Sequence, residues 1–150
     1  MIRDTVKTAT IAAMKGGEKT RLAALRLISA KIKDRDIELR TASQQPDDDA
    51  MVVEVLMKMA KQRRESIEMY DTGGRTELAD QERGELAVIE EFLPQQLSED
   101  ETRTAIAEIK AELGASSVKD MGRVMAQLKA RHPTSLDMSK ASALVKEALA

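Results

Sequence analysis

With 150 residues, 42% hydrophobic and 33% charged, the chain has room for one ordinary domain or two small ones. A net charge of -2 excludes a global basic field, so any nucleic-acid contact has to be local. The absence of cysteine excludes disulfides, thiolate zinc sites and a cysteine nucleophile, and fits a reducing cytoplasm.

One Tyr, one Phe and no Trp, beside abundant Ala, Leu, Glu, Lys and Arg, predict an all-α protein. Seven Gly and three Pro leave little material for turns, so the helices should be few and fairly long. The first is expected over Arg3 to Lys15, with Val6, Ile11 and Met14 as core contacts, and Gly16-Gly17 stops it. A second follows from Lys19 to Arg40. Its Leu22, Leu25, Ile28, Ile32 and Leu39 share one face, and Lys31, Lys33, Asp34 and Arg35 lie opposite. The polar stretch with Pro46 reads as a loop. Asp47, Asp48 and Asp49 then stand where negative charge favours a helix start. The third helix, Asp48 to Tyr70, carries Val52, Val55, Leu56, Met59 and Ile67 and ends at Gly73-Gly74. A fourth, Thr76 to Leu93, turns Leu78, Leu86, Ile89 and Leu93 inward.

Pro94 is the best candidate boundary, because proline disfavours helix in the residue before it. Ser98-Glu99-Asp100-Glu101 reads as a capping box. It opens a helix with Ile106, Ile109 and Leu113 that stops at Gly114. Ser117 with Asp120 resembles a second cap, before Met121, Val124, Met125 and Leu128; Pro133 ends that helix. Asp137 is positioned to cap the last, which turns Leu144, Val145 and Leu149 inward. The expected architecture is an N-terminal helical bundle or hairpin domain of about four helices, 1–93, followed by a small three-helix tail, 94–150. The methionines fall mostly at helical spacing and are read as core. No apolar run approaches the roughly 20 residues that span a bilayer, and Met1 to Asp4 is no apolar signal core. A cytoplasmic protein without membrane contact is the expectation.

No constellation reads as catalytic. The single histidine, His132, sits before Pro133 at a helix end with no partner nucleophile or base marked. Asp47-Asp48-Asp49 point different ways and lack a liganding loop, so no metal is expected. Gly73-Gly74-Arg75 lacks the Gly-Lys-Ser/Thr ending of a phosphate loop, so neither ATP nor NAD is expected, nor any other cofactor. The cations offer more. Lys119, Arg123, Lys129, Arg131 and Lys140 outnumber the acids of the last two helices, and Lys61, Arg63 and Arg64 form a short basic run. Such side chains grip phosphates. The lack of interleaved aromatics argues against reading single-stranded bases and leaves contact with folded RNA.

The same residues carry a family likeness. Leu25-Arg26-Leu27-Ile28 followed by Ala30-Lys31-Ile32-Lys33, then Lys61-Gln62-Arg63-Arg64-Glu65-Ser66-Ile67-Glu68, resemble the early and central motifs of standalone YqeY-like proteins. Glu85 to Ser98, through Phe92-Leu93-Pro94-Gln95-Gln96-Leu97, and Gly114-Ala115-Ser116-Ser117-Val118-Lys119-Asp120-Met121-Gly122-Arg123 resemble the joint and tail motifs of the GatB/YqeY family. One departure stands out. Many members have a glycine turn with an arginine before the last helix, where this chain has Arg131-His132-Pro133-Thr134-Ser135-Leu136-Asp137.

The resemblance implies kinship with the tail of the B subunit of the tRNA-dependent amidotransferase, a carbon–nitrogen ligase with glutamine as amido donor. There the tail contacts tRNA and the chemistry lies elsewhere. The expectation is a tRNA-binding or tRNA-associated module without catalysis of its own, using Lys119, Arg123, Lys129, Arg131 and Lys140 of the tail, with Lys61 and Arg64. Two alternatives stay open. One is an accessory component of such a ligase, acting with other subunits of the aminoacyl-tRNA pathway. The other is a helical protein-interaction adaptor.

Overall fold

The computed structural model describes residues 1–150, and it is all-helical. The helices are α1 (Ile2–Lys15), α2 (Lys19–Leu39), α3 (Asp48–Thr72), α4 (Thr76–Glu91), α5 (Glu99–Leu113), α6 (Met121–Arg131) and α7 (Met138–Leu149). A single 3-10 turn, Val118–Asp120, precedes α6. The chain divides into two compact units, Met1–Leu93 and Pro94–Ala150, each with its own apolar core.

In the first unit, α3 packs on α1, α2 and α4. Val52, Val55, Leu56 and Met59 of α3 meet Leu25, Ile28 and Ile32 of α2, Val6 of α1, and Ile89 and Phe92 at the end of α4. The turn between α3 and α4 closes where the Arg75 N–H donates to Tyr70 O at 2.7 Å. Gly74 takes φ 71° there, a left-handed conformation that a side chain would strain. Two sequence expectations for α1 need correction. Ile11 and Met14 are exposed at 50% and 54%, whereas Ala13 is fully buried. The inward face runs through Ile2, Val6, Ala9 and Ala13, four and three residues apart. Alanine allows close approach of the helix, and it gives little signal in a reading that looks for large apolar side chains. The helix ends also shift: α3 continues to Thr72, and α4 stops at Glu91, short of Leu93.

The aspartate run is spent on structure. Asp47 caps α3 by accepting from the Ala50 N–H at 3.1 Å, and Asp49 accepts from the Ile2 N–H at 2.9 Å. Asp48 and Asp36 both hold Arg3 through paired bonds of 2.7 and 3.2 Å and of 2.8 and 2.8 Å. One guanidinium thus joins α1, α2 and α3, using the fork geometry that lysine lacks.

The second unit buries Ile106 and Ile109 of α5, Val124 and Leu128 of α6, and Ala141, Val145 and Leu149 of α7. The Ser98 hydroxyl accepts from the Glu101 N–H and the Glu101 carboxylate accepts from the Ser98 N–H, each at 3.1 Å. This is the capping box that the sequence predicts. Gly114 ends α5 at φ 62°. Asp137 caps α7 by accepting from Ser139 and Lys140 N–H. The segment Thr134–Leu136 has its own work. The Leu97 N–H donates to Ser135 O at 2.8 Å, Gln96 Nε2 donates to Thr134 O at 3.0 Å, and Leu136 is buried. The Pro94–Ser98 stretch is thereby stitched to the approach of α7.

Arg3 generates a prediction. Its partners are about one-third exposed, so Arg3→Gln is expected to cost about 1–2 kcal/mol at neutral pH. The guanidinium holds the Asp36 carboxyl below its ordinary value of 3.8. That part of the stabilisation is fully present above 3.8 and is lost as pH falls through the lower folded-state value. Urea denaturation at neutral pH and again in acid should show the gap between the two proteins closing.

Candidate nucleic-acid interface

Every ion pair closer than 4.0 Å is made by an arginine, and no lysine enters one. This splits the candidate cations into two sets. Arg123 Nη2 lies 2.6 Å from Asp120 Oδ1. The same aspartate accepts from the Ser116 and Ser117 N–H groups at 3.0 and 3.3 Å. Those backbone bonds, led by Ser116, and then Arg123 hold the Asp120 carboxyl below its ordinary value. Asp120 is therefore the capping acid of the turn before α6. A 3-10 turn intervenes where the sequence predicts the helix itself to open. Arg131 pairs with Glu112 of α5, and Arg64 with Glu90 of α4 at 3.1 Å.

Lys119, Lys129, Lys140 and Lys61 are exposed and have no acidic partner. Lys119 lies in the 3-10 turn, four residues before Arg123 of α6. Lys129 is six residues beyond Arg123, about 120° round the helix, and Arg131 is about 160° from Lys129. The cations of α6 thus spread round the helix. Lys140 lies in the first turn of α7, and Lys61 and Arg64 belong to the first unit.

Lys110 is a tail cation with a structural task. Its Nζ donates to Ala148 O at 2.9 Å, a positive charge at the carbonyl end of α7. His132 is the half-buried C-cap of α6, and its backbone N–H donates to Leu128 O. No group of three or more His, Asp or Glu side chains is placed to hold a metal. A shallow cleft of about 180 Å³ between α2 and α3 has Val55 and Met59 at its base. Its rim mixes Lys31, Arg35 and Lys58 with Asp34, Glu38 and Glu54, and it is smaller than the pockets that enclose small ligands.

The family model described as Yqey-like protein matches residues 3–149. The chain belongs to the YqeY-like protein family. A comparison with curated proteins gave no match. The run Lys61 to Glu68 now has a physical content in this YqeY-like chain. Arg63 of α3 is only 16% exposed and faces two carboxylates of α4. Its Nε lies 3.2 Å from Glu82 Oε2 and 2.8 Å from Glu85 Oε2. Arg63 Nε and Glu82 Oε2 have no aligned hydrogen bond, so proximity of charge is what holds this part of the hairpin. The motif's basic run is therefore not one solvated face: Arg63 is internal, Arg64 is paired and Lys61 is free.

Removing the cation leaves two carboxylates facing each other in a half-buried place. Arg63→Ala is expected to cost about 2–3 kcal/mol in urea unfolding. Adding Glu85→Gln to Arg63→Ala should recover part of that loss.

Proposed function

We propose that this YqeY-like protein is a tRNA-binding module without catalysis of its own, docking through phosphate contacts. The single observation that carries this reading is the set of free lysines in the tail. Lys119, Lys129 and Lys140 project into solvent unpaired, while the nearby arginines are taken up by acids. The resemblance of the tail to that of the amidotransferase B subunit supports the choice of RNA. The scarcity of aromatics favours contact with the backbone of folded RNA over stacking on bases. No helix is long and apolar enough to cross a membrane.

A second reading is favoured by one specific feature. Lys129 and Arg131 sit on nearly opposite sides of α6, which suits a surface met by a protein from several directions. In that case the chain is an interaction adaptor, including the form in which it accompanies a carbon–nitrogen ligase.

Filter binding to unfractionated tRNA across a salt series separates the two. The expected result is saturable binding that weakens linearly in log–log form as salt rises. Lys119→Glu with Lys129→Glu is expected to weaken it by about tenfold or more and to flatten the salt slope by about two. Absence of tRNA binding by the unaltered protein at low salt would leave the adaptor reading.

A further inference from the structure

The solvent face of α2 carries a regular line of charge. Lys19, Arg26, Lys33 and Arg40 recur every seven residues, and Ala23, Ala30 and Ile37 fall between them. All seven are exposed. The intervals alternate four and three, so the seven positions trace one line along the helix, drifting only about 20° per repeat. At 1.5 Å per residue, successive cations are about 10.5 Å apart and the line is about 31 Å long. The opposite flank of α2, with Ala24, Leu25, Ile28 and Ile32, is buried in the core of its unit. The line is therefore held straight and presented outward.

No acid of the chain closes an ion pair with it. None of the four cations makes an ion pair within 4.0 Å. Positions three and four residues from Lys19 and Arg26 hold no acid. The one acid so placed near Lys33 and Arg40 is Asp36, which is engaged by both arms of the Arg3 guanidinium and feels Arg40 only at longer range. Asp34 and Glu38 of the same helix line the cleft toward α3.

We infer that this line is a second phosphate-binding surface, which lies along the backbone of folded RNA. The inference rests on the reading that the ligand of the protein is RNA, and it assigns the first unit a direct part in holding it. Three features select a nucleic-acid backbone as the occupant. Charges at constant spacing complement a polymer whose negative charges recur at constant spacing. The residues between them are mostly alanine, which lets a broad polyanion come close but gives little apolar area to a partner helix. No aromatic side chain lies on the line, so it has no means of reading bases and would bind by shape and charge.

The test uses the full chain, unfractionated tRNA and a salt series. One variant carries Lys19→Gln, Arg26→Gln, Lys33→Gln and Arg40→Gln; another carries Lys119→Gln and Lys129→Gln in the tail. Glutamine keeps helix propensity, and the four side chains have no internal partner, so circular dichroism should be unchanged. Loss of about tenfold or more in tRNA affinity for the α2 variant, with a salt slope flatter by up to about 3–4, would uphold the inference. If only the tail variant loses affinity and the α2 variant binds like the unaltered protein, the α2 line is overturned while the tRNA reading stands. If the unaltered protein does not bind tRNA, both fall. Binding of poly-glutamate that depends on the α2 line, without binding of tRNA, would also overturn the inference and make the occupant an acidic protein.

Discussion

The packing of α3 against three neighbours is what the first unit depends on. Val52 and Leu56 are completely buried, and Met51, Val53, Met59 and Ala60 nearly so, over about three turns. A helix buried on so many sides has to be surrounded before it is stable, and α1, α2 and α4 are the elements that surround it. The polar links follow from that need. Arg3 fastens α1 where it meets α2 and α3, and Arg63 fastens α4 to α3 farther along. At Arg3 a planar fork satisfies two carboxylates at once, which an ammonium group on a flexible stem does not, whereas Arg63 holds its two carboxylates by closeness of charge.

That division of labour between the two basic residue types bears on function. Arginines are mostly consumed by ion pairs within the fold, and lysines, Lys110 apart, remain for whatever approaches from solvent. The α2 line departs from this division, because Arg26 and Arg40 stand there unpaired beside Lys19 and Lys33. A binding surface made of side chains that the fold does not need is free to change in charge without disturbing the core beneath it.

Much of the fold was legible because helix ends carry local chemistry. Ser98 with Glu101, Asp137, and the glycines before the second and fourth helices and after the fifth act through neighbours in sequence, and the structure places them as their spacing implies. Less legible was the role of small residues. Ala13, Ala79, Ala115 and Ala141 are buried, while Ile11 and Met14 are not, since burial depends on how closely another helix approaches. The candidate site shows the same limit in electrostatic form. The cations were visible, and the Asp120–Arg123 pair lies within one turn of sequence. The acids that occupy Arg64 and Arg131, however, come from other helices, and only the tertiary fold brings Glu90 and Glu112 to them. The seven-residue recurrence on α2 is written in the sequence as well, but it becomes a surface only once the other flank of that helix is known to be covered.

The placement of the two aromatic rings decides how this molecule is observed. Tyr70 lies near the end of α3 and Phe92 in the core of the first unit, and the second unit has neither Trp, Tyr nor Phe. Intrinsic fluorescence and near-ultraviolet absorbance therefore look at one half of the chain alone. The tail contributes no ring of its own to either signal. A tyrosine-monitored transition reports from a ring of the first unit, whereas the far-ultraviolet backbone bands sum over the helices of both.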